Sequence, residues 1–312
     1  MKNKMIFLSI FLCLSLCFSS SKLFASDKIR IVTTTSTIAD LVRQIAGDHA
    51  DIYYIASPKR DIHFIAPTPK DVLKVKKAQV FVHSGLDLEA WRGPLLDAVG
   101  RTDLMWPSGD KQIDVSKGIS LLEVPTSLSR SQGDQHAYGN PHYAMDPVNV
   151  KIMGNNIAEG LSNIFPHQSA NFKKNADDLN QKIDEKLKGW TKRMSPYQGM
   201  EVVTYHRNWS YFTKRFGFMI IGEVEPKPGI PPTAKHMASL INSMKEKNVR
   251  IIMTESFRES RAPAKIAEAT GAKVLTLAQD VGETQEGKDY ISMMEQNIHL
   301  LEDALAQRKE VK

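Results

Sequence analysis

The chain has 312 residues, two cysteines and a formal net charge of +6. Cys13 and Cys17 both fall in an N-terminal segment with the marks of a secretory signal, so the mature chain is expected to hold neither disulfides nor thiolate metal ligands. The modest excess of Lys and Arg is scattered over expected helix faces, with no basic stripe of interleaved aromatics, and nucleic acid is therefore not an expected partner.

Lys2 and Lys4 precede an apolar run from Met5 to Phe18, and the segment closes on small residues as far as Ala25. A basic start, a short apolar stretch and a small-residue end predict a signal peptide over 1–25. The run is shorter than the ~20 residues that span a bilayer. A lipidated Cys17 is the competing fate, but Leu16 before it is larger than the residue a lipoprotein signal usually carries, so a soluble periplasmic protein is expected. Cleavage after Ala25 leaves 287 residues and lowers the formal charge to +3, enough chain for two lobes with proper cores.

Ile29 to Thr33 reads as a strand, followed by Ile38, Leu41, Val42 and Ile45 at helical spacing before Gly47. Ile52 to Ile55 is a second strand, and Thr68-Pro69-Lys70-Asp71 offers a helix cap, a first-turn proline and a first-turn acid. Val80 to Val82 is a third strand, leading to an amphipathic stretch from Leu88 to Val99. Phe172, Ala176, Leu179, Ile183, Leu187 and Trp190 then recur on one face of a helix from about Gln168 to Arg193. That helix is roughly 39 Å long at 1.5 Å per residue, bracketed by Pro166 and Pro196, and long enough to serve both halves as a spine. Beyond it, strands are expected at 201–204, 219–221, 251–254 and 274–277, with helices over 235–247, 262–270 and 290–306. Strands alternating with helices predict an α/β fold: two parallel-sheet lobes joined by one long linker helix. The expected divisions are a signal at 1–25, an N-terminal lobe at 26–166, the linker at 167–195 and a C-terminal lobe at 196–312.

Four residues carry candidate chemistry: His63, His142, His206 and Asp280. Three imidazoles and a carboxylate are donors that close a tetrahedral site around a borderline-soft divalent ion such as zinc. Their separations of 79, 64 and 74 residues exclude a local zinc finger, so any common site lies where the fold gathers distant loops. His63, His206 and Asp280 follow expected strands, where open parallel sheets form their ligand crevice. His142 precedes Asp146-Pro147, which reads as a helix cap and first-turn proline rather than a ligand. His136 is expected to be a solvated loop residue, His83 a structural one, and His167, His236 and His299 residues of helix starts or faces. Trp209, Tyr211 and Phe212 suit either a site wall or ordinary packing.

Several segments carry a family resemblance in order across roughly 250 residues. They are His63 with Pro67-Thr68-Pro69-Lys70-Asp71, then 85–91 (Gly-Leu-Asp-Leu-Glu-Ala-Trp), then 140–147 (Asn-Pro-His-Tyr-Ala-Met-Asp-Pro). After these come 204–212 (Thr-Tyr-His-Arg-Asn-Trp-Ser-Tyr-Phe) and the stretch from Glu223 to Thr233. Much of the mature chain thereby resembles the metal-binding substrate-binding proteins of ABC transporters, the cluster with a rigid helical linker, and its zinc-specific members in particular. The resemblance implies a monomeric periplasmic receptor, not an enzyme, that captures Zn2+ and delivers it to a membrane permease, with a periplasmic metallochaperone as a further candidate partner. It matches His63 and His142 to the N-lobe ligands and His206 and Asp280 to the C-lobe pair.

The chain departs from the family at two places. The loop from Ser127 to Asn140 is short and holds only His136, where many zinc members carry a long His-rich tether. The segment around Asp280 varies in the family, and Glu225 is the reserve carboxylate. A manganese receptor of the same family is the alternative, although manganese members generally carry a carboxylate at the position of His206. From another class, a three-histidine zinc hydrolase would need an open fourth position, which Asp280 fills, and no HExxH helix accompanies the histidines. Because imidazole binds metal only when neutral, affinity is expected to fall as pH drops through the histidine range near 6.5.

Overall fold

The computed structural model describes residues 28–105, 109–127, 136–227 and 229–306. The expected signal peptide, with Cys13 and Cys17, lies outside the described residues. Among the described residues, eight strands form two parallel sheets. The first holds β1 (Ile29–Thr33), β2 (Ala50–Tyr54), β3 (Val80–His83) and β4 (Gln112–Asp114) in the order β2-β1-β3-β4. The second holds β5 (Glu201–Thr204), β6 (Met219–Glu223), β7 (Ile251–Thr254) and β8 (Lys273–Thr276) in the equivalent order β6-β5-β7-β8. The pairings within both sheets are parallel, and the β5–β6 register shifts once, between Val202 and Val203. The two-lobed α/β architecture expected from the sequence is the one found.

β4 is a strand that periodicity does not reveal, since Gln112-Ile113-Asp114 offers a single apolar residue. Helix α1 (Ser36–Ala46) starts where Thr35 Oγ1 accepts from the Ile38 amide at 3.2 Å. Helix α2 (Pro69–Lys77) opens with a capping box: Thr68 accepts from the Asp71 amide while Asp71 accepts from that of Thr68. Helix α3 (Arg92–Val99) begins later than the amphipathic stretch suggests, because Gly85, Leu86 and Asp87 turn the chain through left-handed backbone with φ of 72°, 54° and 57°. Asp146 caps α4 (Pro147–Ile164), accepting from the Val148 amide at 2.9 Å, as its place before a proline predicts.

The long helix is α5 (Ser169–Met194), 26 residues bearing Phe172, Ala176, Leu179, Ile183, Trp190 and Met194 on its buried face. The second half adds α6 (Ser210–Phe216), α7 (Ala234–Glu246), α8 (Arg261–Thr270) and α9 (Tyr290–Ala306). Helix α9 returns across α5, where Trp190 Nε1 donates to Glu295 at 2.9 Å and Arg193 Nε donates to Glu302 at 2.8 Å. One apolar core therefore runs from Ile31 and Val82 of the first sheet, through Leu179, Ile183 and Trp190 of α5, to Val202 and Ile251 of the second. The opposite sheet faces have their own clusters, around Val32 and Phe81 in one lobe and Val203 and Ile252 in the other. Both sheets are thus covered on both faces, as all-parallel sheets require, and the carboxyl ends of their strands lead into the loops between the lobes.

Trp190 ties α5 to α9 through both packing and a hydrogen bond. Replacement by Ala is expected to cost about 3–5 kcal/mol, read as a lowered urea midpoint.

Candidate metal centre

His63 lies on a 3-10 turn (Ile62–Phe64) beyond β2. Asp61 caps that turn by accepting from the His63 amide at 3.1 Å, and the Trp91 indole donates to the Ile62 carbonyl at 2.9 Å. His142 sits in the loop before α4, its amide donating to Asn140 Oδ1 at 2.9 Å. Asn140 is anchored across the cleft, since its amide nitrogen donates to the Arg207 carbonyl at 2.7 Å and its carbonyl accepts from Tyr211 Oη at 2.8 Å. His206 follows β5 in extended backbone and precedes a 3-10 turn (Arg207–Trp209). Glu225 Oε2 lies 2.5 Å from His206 Nδ1, and the other carboxylate oxygen accepts from the Gly229 amide at 2.9 Å. A carboxylate at that nitrogen favours the Nδ1–H tautomer, whose metal-binding atom is Nε2.

The three rings meet. Their centres lie 5.2 Å (His63–His142), 5.7 Å (His63–His206) and 5.5 Å (His142–His206) apart, with one potential donor atom from each within 4.8 Å of the others. His63 Nε2 and His142 Nε2 are separated by 3.3 Å. Zinc–nitrogen bonds of about 2.0–2.1 Å at a tetrahedral angle put two donor nitrogens about 3.3–3.4 Å apart, so this spacing suits chelation.

Asp280 is not part of the trio. Its Oδ1 accepts from Thr37 Oγ1 at 2.6 Å, on the first turn of α1, and it lines with His142 and Thr37 a cavity of about 40 Å³. The residue as a whole is half-buried but its carboxyl is enclosed, and that burial pushes it up to about 6 against the lowering effect of the Thr37 hydroxyl. Glu225 supports the His206 ring. His136 differs from its expected solvated place: it is half-buried, with its ring centre 5.0 Å from that of His63 and 6.2 Å from that of His142. His83 stands apart at the end of β3, where burial pushes it down to about 3 and keeps it a neutral core residue. Trp209 is packed at 0% exposure and donates to Glu255, while Tyr211 spans the lobes.

Burial, reinforced by the neighbouring imidazoles and the Arg258 guanidinium, holds His63 and His142 well below the usual histidine range. Sequence reasoning missed the residues that build this environment. Gln279 places its amide nitrogen 2.9 Å from His142 Nδ1, Asn208 reaches both Gln279 and Glu255, and Arg258 pairs with Asp61 across the cleft at 2.8 Å. The one sequence sign of them was position, because Glu255 and Gln279 stand just past strand ends.

Two parallel α/β lobes on a helical spine, with imidazoles gathered in the cleft between them, define a metal-binding receptor of the substrate-binding kind. A family model described as zinc-uptake complex component A, periplasmic, matches residues 31–304, and the chain belongs to that family. It is 26% identical over 283 residues to the high-affinity zinc uptake system protein ZnuA of Bacillus subtilis, covering 89% of this chain and 88% of that one. To the zinc-binding protein AdcA of Streptococcus pyogenes it is 23% identical, and it spans 57% of that longer protein's length. A crystal structure of ZnuA superimposes with a TM-score of 0.76 at 21% identity, covering 89% of this chain and 99% of the other.

Metal-free stability follows from these shifts. His63 and His142 have folded values below their unfolded 6.5, so their contribution is present above pH 6.5 and lost as pH falls below it. Asp280 is raised from 3.8 to about 6, so its contribution is present at low pH and lost as pH rises through 6. Urea unfolding between pH 7.5 and 5.5 should therefore fall less steeply toward acid in His142→Asn than in wild type, and more steeply in Asp280→Asn.

Proposed function

We propose that this chain is a periplasmic receptor that captures Zn2+ with His63, His142 and His206 and hands it to the permease of an ABC transporter. The observation that carries the reading is the triangle of enclosed imidazoles with the 3.3 Å Nε2–Nε2 spacing, contributed by both lobes. Family membership supports uptake as the task, and the names of the Bacillus and Streptococcus relatives support zinc as the cargo. Three nitrogen donors favour zinc over the harder manganese ion. The fourth position falls to Asp280, which borders His142 and must exchange the Thr37 hydroxyl for the metal. Export by the N-terminal signal, with release as a soluble protein, completes the reading.

Protein purified without added metal should bind one zinc per chain in competition with a chelator, and bind manganese more weakly. His206→Glu should narrow the preference toward manganese, and Asp280→Ala should weaken zinc retention. Absence of stoichiometric binding of either ion would overturn the assignment.

The pH response differs from the one expected for solvated histidines. Three imidazoles titrating near 6.5 would cost roughly a thousandfold in affinity between pH 7.5 and 5.5. With His63 and His142 held neutral by burial, the chelator titration should show a much smaller loss across that interval.

A further inference from the structure

Arg258 lies between β7 and α8, with a side chain only 10% exposed. Nη1 donates to Asp61 Oδ2 at 2.8 Å across the cleft, and Nε donates to Glu255 Oε2 at 3.2 Å within its own lobe. The guanidinium also lies 5.4 Å from the centre of the Tyr205 ring, the residue before His206. Each carboxylate it engages serves a histidine-bearing turn with its other oxygen. Asp61 Oδ1 caps the His63 turn, and Glu255 Oε1 accepts from Asn208 at 2.6 Å and Trp209 at 2.5 Å on the turn after His206. Asn208 continues to Gln279 at 3.0 Å, and Gln279 to His142 Nδ1 at 2.9 Å.

One hydrogen-bonded chain therefore runs from the backbone of His63, through Arg258, past His206, to the ring of His142. It crosses between the lobes at the Arg258–Asp61 ion pair and again at the Gln279–His142 hydrogen bond, and of the two only the ion pair reaches the His63 turn. We infer that Arg258 is the positioning residue of the metal centre: its pairing with Asp61 holds the His63 turn against the His206 turn, and parting of that pair is the step that lets the metal leave. The inference rests on the reading of the trio as a zinc site and adds to it a residue that does not touch the ion. A guanidinium suits the task because its planar fork serves two carboxylates at once from fixed directions, where an ammonium is a point charge. A second interlobe ion pair, Arg215 with Asp146 at 2.7 and 2.8 Å, provides an internal comparison, because it joins the lobes without reaching the His63 turn.

Zinc release from the loaded protein into excess chelator, followed by stopped flow, tests this. Asp61→Asn and Arg258→Gln should each speed release about 10- to 100-fold, the range for residues that orient metal ligands, with association changed less than about threefold. The double variant should release no faster than the faster single one, because both remove the same link. Arg258→Lys should recover part of the wild-type rate, and Arg215→Gln should stay within about threefold of wild type. Asp61→Asn leaves the Arg258–Glu255 pair in place, so the test survives if Arg258→Gln fails to fold. Release from Asp61→Asn within threefold of wild type, additive effects in the double variant, or equal acceleration by Arg215→Gln would each overturn the assignment of Arg258. Failure of the wild-type protein to bind zinc would instead remove the site reading, and this inference with it.

Discussion

The rings of His63 and His142, with centres 5.2 Å apart in an enclosed space, are held there uncharged by burial and by the imidazoles around them, the state in which imidazole can take a cation. Burial raises the cost of a proton on His63 and His142, and neighbouring imidazoles add to it for both. The surrounding structure satisfies that constraint from outside the triangle. Glu225 takes the outer nitrogen of His206, Gln279 the outer nitrogen of His142, and the positive charge of Arg258 is placed where it opposes protonation of His63 and His142. The inner Nε2 atoms of His63 and His142 are left facing each other. Gln279 adds a refinement: with its nitrogen toward the ring it donates, and turned by half a rotation it accepts from Nδ1–H and frees Nε2 for metal.

Those groups hold their places because the lobes share one core. Helix α5 contributes the same apolar face to both sheets, and α9 returns over it. Tyr290, at the start of α9, reaches back to the first lobe, its amide donating to Asp40 and its hydroxyl to the Ala144 carbonyl, each at 3.0 Å. A hinge that opened the lobes widely would have to expose part of that core, at about 25 cal/mol for each Å² of apolar surface. Moving the short turns at His63 and after His206 exposes less apolar surface, since each sends one apolar side chain, Ile62 or Trp209, into the packed clusters. The architecture thus directs motion away from the spine and into loops at the strand ends.

The same division explains what was legible in the sequence. Elements with strong periodicity or caps declared themselves: β1, the capping box of α2, the spine helix and the terminal helix α9 all fall close to their expected bounds. β4, with one apolar residue, carries little periodic signal, whereas α4 repeats Val150, Met153, Ile157, Leu161 and Ile164 at steps of 3, 4, 4 and 3 behind its Asp146-Pro147 cap. At the candidate centre the histidines stood out because their motifs are distinctive. Arg258 and Gln279 did not, because a polar loop residue acquires its role only from partners such as Asp61, 197 residues away, or His142, 137 residues away. His136 was misplaced for the same reason, its ring standing 5.0 Å from that of His63, a residue distant in sequence.

Asp280 shows how such distant partners could drive capture. Its carboxyl, raised to about 6, is largely ionised near neutral pH, yet it is enclosed, with Glu283 raising its cost further and the Thr37 hydroxyl donating to it. An ion so sparingly compensated gains more from a nearby dication than a well-solvated carboxylate would, because the desolvation has already been paid. Thr37 thus holds the carboxylate in reserve rather than satisfying it, and a metal arriving at the trio competes with one hydroxyl rather than with bulk water. Arg258 acts in the opposite sense, a fixed positive charge near the same ion. On the reading proposed, an acid draws the cation in and a guanidinium makes its stay conditional on an ion pair, so that firm binding of a divalent metal need not make its release prohibitively slow.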